Sequence, residues 1–190
     1  MLPHKRICLM VEEMQRHSPT VDFESRALLI HNLVFLHGIM TASERLMEVA
    51  ASKAKGWLKD YFLTHLEEER GHAAWMADDL KTAGVDVGLP NIQAMELAGA
   101  MYYLIEHVSP VCLLGYMAVL EGFPVKLSTI EGLEALHGKQ LLHCLRYHAE
   151  NDPEHRKELF HAIDRANDPL IEQAARYTQQ KMDQFGATLC

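Results

Sequence analysis

The sequence predicts an all-α fold in one domain, and three observations carry that expectation. Apolar residues recur at three- and four-residue spacing almost throughout the chain, the period of a helix with one buried face. Alternating β-branched runs are missing, as are the Asn-Gly and Asp-Gly pairs that close tight hairpins. The third is size: 190 residues, 48% hydrophobic and 23% charged, suffice for a full core, so one domain over residues 1–190 is expected rather than a disordered or fibrous chain.

Each helix then follows from its local signals. A short amphipathic helix is expected from about Lys5 to His17 and is ended by Ser18-Pro19-Thr20. Asp22 is placed as the cap of a helix running to about Met40, with Thr41 or Ser43 starting the next. From Trp57 to Ala83 the pattern reads as one long helix, with Leu58, Phe62, His65, Glu69, His72, Met76 and Leu80 on one stripe, Gly71 as its weak point and Gly84 as its stop. Residues 85–90, VDVGLP, form a connector ending at Pro90, after which Asn91 caps a helix to about Val108. Ser109-Pro110 opens a helix whose sequence, VCLLGYMAVLEG, is nearly all apolar and must be buried on every side, with Glu121 as its single charge. Beyond Pro124 come a helix in LSTIEGLEALHG, another from about Lys139 through His148, and a last one from about Asp168 to Phe185 with Pro169 in its first turn.

Composition narrows the function. A net charge of −8 argues against sequence-independent nucleic-acid binding, which needs a basic footprint. No uncharged apolar run approaches the length of a membrane span, and the opening run ICLMV is cut by Glu12 and Glu13, too short for a signal peptide. The cysteines, Cys8, Cys112, Cys144 and Cys190, show no CxxC or CxxH spacing, so a reducing cytoplasm fits better than a disulfide framework or zinc ribbon. Twelve histidines are roughly two to three times the average share, a first sign of metal or acid–base chemistry.

Three segments carry chemistry. In HLEEERGH, residues 65–72, Glu69 and His72 are three apart and Glu68 and His72 four apart, so either pair shares a helix face and can reach one metal. The same residues also read as a solvated acidic turn. In HAENDPEH, residues 148–155, His148, Asp152 and His155 fall on one helical stripe, offering two imidazoles and a carboxylate to one point. Pro153 should kink or restart that helix, which makes Asp152 either a ligand or an N-cap. Glu121 ends the apolar helix, where a cation would remove the cost of burying its carboxylate unless the helix end reaches solvent. Together the segments supply three carboxylates and three imidazoles, the inventory for two adjacent iron or manganese ions in a helical bundle.

EEERGHAAWMADDLKTAG, SPVCLLGYMAVLEG and HAENDPEH, in this order and over roughly residues 57–163, resemble the heme-oxygenase-like di-iron oxidases and oxygenases, often labelled iron-containing redox enzymes. The resemblance implies a heme-oxygenase-like multi-helical bundle. It implies Glu69 and His72 from the first core helix, Glu121 from the second, and His148, Asp152 and His155 from the third, as ligands of two Fe(II) ions. Many members have a longer interval between the first glutamate and its histidine, which leaves Glu68 or even Glu67 as rivals to Glu69. His65, seven residues before His72, stays open as an outer hydrogen-bond donor or a replacement ligand. Such enzymes activate O2 to oxidise small amine, amino-acid or fatty-acid-like substrates, and their third core helix orders with metal. Manganese is also permitted by the ligand types.

An apolar pocket beside the metals is expected, with Phe62, Tyr103, Leu114 and Met117 as lining and Tyr116 and Tyr147 as hydrogen-bond donors behind the ligands. The partners expected are a small-molecule substrate, with room for a redox partner, and a second copy of the chain in a homodimer. Two rival readings stay open. The same architecture resembles thiaminase II and pyrroloquinoline-quinone synthase, which need no metal, and Cys112 then stands where a nucleophile could sit. The other is non-enzymatic, a ferritin-like metal store or an interaction module with acidic faces.

Overall fold

The computed structural model describes residues 1–89 and 91–190, and among them every regular element is helical. The helices are α1 (Pro3–Gln15), α2 (Arg26–Lys53), α3 (Trp57–Glu69), α4 (His72–Thr82), α5 (Ile92–His107), α6 (Cys112–Leu120), α7 (Leu127–His137), α8 (His143–Ala166) and α9 (Pro169–Gly186), with a 3₁₀ turn at Lys139–Leu142. The sequence period therefore reports the fold class correctly. No described helix is long and apolar enough to cross a membrane.

The short helix α6 is the hub. It packs against α1, α2, α5, α8 and α9, and residues Cys112 to Val119 are all buried, which is why its sequence has no polar face. Gly115 permits the closest approach: a Cβ there would collide with the Ile171 carbonyl and the Ala174 side chain on α9. A second cluster, Leu29 and Leu33 of α2, Met76 and Leu80 of α4, Leu141, Leu142 and Cys144, joins α2 and α4 to the start of α8. There the buried Asp79 side chain accepts the Cys144 backbone N–H at 2.7 Å, and the Arg146 guanidinium grips Glu134 of α7 through both oxygens.

Local signals decide several boundaries. Asn91 caps α5, its side chain accepting from the N–H groups of Gln93 and Ala94, and Asp168 caps α9 through Leu170. Four expectations need correction. Asp22 does not cap α2; it accepts from the Glu24 N–H in a turn, and the helix starts at Arg26 behind Ser25. Nor does α2 break at Thr41 or Ser43, whose hydroxyls donate to the carbonyls of His37 and Ile39 within an unbroken helix. The single helix expected over residues 57–83 is two, because Arg70 turns extended and Gly71 takes φ +92°, a left-handed conformation open to glycine. Finally, α8 continues from His143 to Ala166 through Pro153 without restarting, so Asp152 is mid-helix and caps nothing. The connector's end at Pro90 lies outside the described residues.

Candidate metal centre

Three local features aim the functional side chains. The break at Gly71 sets α4 at a new angle to α3, so that Glu69 in the last turn of α3 and His72 in the first turn of α4 meet, His72 Nδ1 standing 3.0 Å from Glu69 Oε2. The Gly71 N–H donates to Glu44 of α2 at 3.1 Å, which holds the corner. On α8, His148 Nδ1 lies 3.0 Å from Asp152 Oδ1, one turn on. The His72 and His148 rings stand nearly perpendicular, with centroids 4.9 Å apart.

Glu69, His72 and His148 each present a donor atom within 4.8 Å of the other two, close enough to hold one cation. The other expected ligands sit at the rim of this group. His155 Nδ1 is 3.8 Å from Glu69 Oε1 and 4.0 Å from Asp152 Oδ1. Glu121, at the C-terminal end of α6, pairs with the buried His65, whose Nε2 lies 3.2 Å from Oε1 and 3.1 Å from Oε2. Of the rivals to Glu69, Glu67 is exposed and bonded to Arg70 at 2.8 Å. Glu68 stands between His65 Nδ1 at 3.5 Å and His155 Nε2 at 3.9 Å.

The donor set has the character of a cation site. Glu69 Oε1, Glu121 Oε2, His148 Nε2 and His155 Nδ1 are all buried without a hydrogen-bond partner, and a buried polar atom left unpaired costs about 1–3 kcal/mol. Oxygen and imidazole nitrogen donors suit ferrous iron, whose charge the carboxylates offset. The electrostatics agree. Burial opposes a charge on His148, yet the hydrogen bond to Asp152 and the nearby Glu69 outweigh it and push its pKa up to about 11. Burial likewise opposes protonation of His65, but the Glu121 carboxylate lifts it to about 9. Burial works against the Glu69 charge too, and the surrounding imidazoles still hold its carboxyl below the ordinary value.

Beside these residues lies a cavity of about 170 Å³, bounded by Glu69, His72, Glu121, His148 and Asp152 on one side and otherwise mainly by apolar residues of α2, α6 and α8. It is close in size to a cavity of about 150 Å³ that holds benzene. Met117 lines it as expected from spacing; Tyr116, expected as a hydrogen-bond donor behind the ligands, lines it instead, its hydroxyl hydrogen-bonding Ser43 Oγ at 3.0 Å. Three expected lining residues do not: Phe62 and Leu114 are packed in the core, and Tyr103 is 61% exposed on α5. Tyr147, also expected as a donor, packs its ring against His72 and Trp75 at centroid distances of 5.0 and 5.1 Å and makes contact there through the ring rather than through a hydrogen bond. Sequence reasoning missed Ser43 and the α2 wall of Leu36, Ile39, Met40 and Met47. The signal was the three- and four-residue spacing of those residues, which continues through the supposed break. Cys112 is outside the cavity lining, and burial raises its thiol to about 11, far from a nucleophile's range.

Comparison with known proteins agrees with this architecture. A domain of unknown function with a heme oxygenase-like fold from Shewanella denitrificans OS217 superimposes with a TM-score of 0.78 at 15% identity, over 97% of this chain and 89% of that one. No curated protein matches the chain. Residues 29–183 match the family model described as iron-containing redox enzyme. That stretch takes in α3, α4, α6 and α8, with every residue of the candidate centre, and by this match the chain belongs to the iron-containing redox enzyme family.

Proposed function

We propose that this protein is a non-heme di-iron oxidase or oxygenase that activates O2 against a small, largely apolar substrate. The observation that carries the proposal is the set of buried, unpartnered donor atoms on Glu69, Glu121, His148 and His155. These residues, with His72 and Asp152, would hold the iron. When bound, ferrous iron would supply the electrons that O2 needs.

The chain's own residues do the rest. Asp152 fixes the His148 ring so that Nε2 faces inward. The apolar wall from α2, α6 and α8 keeps water from the reacting centre. Burial holds the Tyr116 phenol protonated well past neutral pH, so that it and Ser43 can hydrogen-bond a polar atom of the substrate. Away from the metal residues the cavity wall is mainly apolar, which favours a substrate apolar over most of its surface, and no lysine or arginine lines it among the described residues to pair with an anionic group. A homodimer belongs to the same proposal.

The deciding experiment is anaerobic ferrous titration followed by rapid mixing with O2 under visible absorption. Uptake of about two irons, abolished or halved in Glu121→Ala and His148→Ala, supports the reading, and a transient accelerated by a candidate substrate begins to name the reaction. Protein that takes up no iron sinks it. Size measurement separates the dimer from the shell that a metal store would form.

A further inference from the structure

We infer that His65 is itself a metal ligand, completing with Glu121 and His155 the part of the centre that Glu69, His72 and His148 do not form; this rests on the metal-centre reading above. His65 is 3% exposed, and its stripe on α3 points it inward. Its Nε2 stands 3.1 and 3.2 Å from the two Glu121 oxygens. Donors about 2.1 Å from one ion and at right angles to each other stand about 3.0 Å apart, so this pair is already spaced to share an ion. Behind the ring, Nδ1 is 3.5 Å from Glu68 Oε2. A carboxylate in that place keeps the proton on Nδ1 and turns the Nε2 lone pair inward, the arrangement that metal-binding histidines require.

Two further donor atoms on these neighbouring residues lack partners. Glu121 Oε2 and His155 Nδ1 are buried without hydrogen-bond partners, and the His65 and His155 rings lie 5.5 Å apart between centroids at 74°. The geometry therefore separates two neighbours that spacing could not: Glu69 binds the ion, while Glu68 is a positioning residue for His65. The consequence is a centre with four imidazoles, His65, His72, His148 and His155. Nitrogen-rich sites favour iron, cobalt or zinc over manganese, for which oxygen donors are better suited.

Cobalt(II) titration of the metal-free protein tests this without turnover. In the cobalt-loaded wild type, proton NMR in H2O should show four exchangeable imidazole N–H resonances displaced far from the diamagnetic range, one for each ligating histidine. His65→Gln, which keeps a hydrogen bond to Glu121, should show three. Its second cobalt equivalent should weaken by a hundredfold or more while the first is kept, since loss of a ligand exceeds the roughly 10- to 100-fold effect of an outer residue. His65→Glu should bind manganese better relative to cobalt than the wild type does. Three displaced resonances in the wild type, unchanged in His65→Gln, would make His65 a hydrogen-bond donor only and overturn the inference while leaving the metal centre standing. A wild type that binds no cobalt overturns both.

Discussion

At the scale of single residues, the centre is a set of carboxylate–imidazole pairs, and its proton chemistry has a definite sign. His148 titrates near 11 in the metal-free fold against about 6.5 in an unfolded chain. Because the folded value is the higher, the His148–Asp152 pair stabilises the metal-free protein fully below about pH 6.5, and that contribution is lost as pH rises toward 11. Thermal unfolding of metal-free protein from pH 6 to 10 should show a falling Tm, and Asp152→Asn, which cannot balance an imidazolium, should flatten the slope. Iron uptake runs the other way. The metal must displace that proton, so apparent affinity should fall about tenfold per pH unit on acidification for each proton released. An affinity independent of pH between 6 and 8 would show that His148 is not a ligand. The stripe of His148, Asp152 and His155 was legible in sequence because its spacing follows one helix, α8, and Glu69 and His72 were legible as neighbours, although they meet across the corner at Gly71 rather than along one helix. The partner of Glu121 was not, since His65 and Glu121 are 56 positions apart and only packing brings them together.

Elements succeed or fail on positions where the backbone itself is constrained. Gly115 lets α6 lie against α9, and Gly115→Ala drives a methyl group into the Ile171 carbonyl. Overpacking of this kind costs about 1–3 kcal/mol, so a Tm lower by several degrees is expected, read by calorimetry. Pro153 acts in the opposite direction. It lacks an N–H, leaving the Ala149 carbonyl without its helical donor, and Ala149 lines the cavity. Pro153→Ala should stabilise the metal-free protein by up to roughly 3 kcal/mol and slow hydrogen exchange in α8 between His148 and His155. Unchanged exchange there would mean that packing against α4 and α6 already fixes the helix. The expectation of a restart at Pro153, like the expected break at Thr41, came from local propensity, and in both places the long helix is held by what it packs against. At Gly71 the local signal was right in kind. Only the structure shows that the weak point is a corner, which puts Glu69 and His72 face to face.

For the molecule as a whole, fold class was the most legible property because it needs only the period of the apolar pattern, repeated over every helix. The cavity was the least legible. Its walls come from α2, α6 and α8 together, and Phe62 and Leu114 carry the same apolar signal as Met117 while facing the core. Distance along the chain has a further consequence. The candidate donors come from α3, α4, the end of α6 and α8, so a bound metal would cross-link distant segments, Glu69 and His155 being 86 positions apart. A ligand that binds only the folded state adds about 2.7 kcal/mol at a hundred times its Kd, so pulse proteolysis should find metal-free protein cut markedly faster than iron-loaded protein. Equal cleavage would mean that the helices hold one another without the metal. In a living cell the same linkage would tie the lifetime of this protein to the iron supply, the metal-free chain being the one more open to proteases.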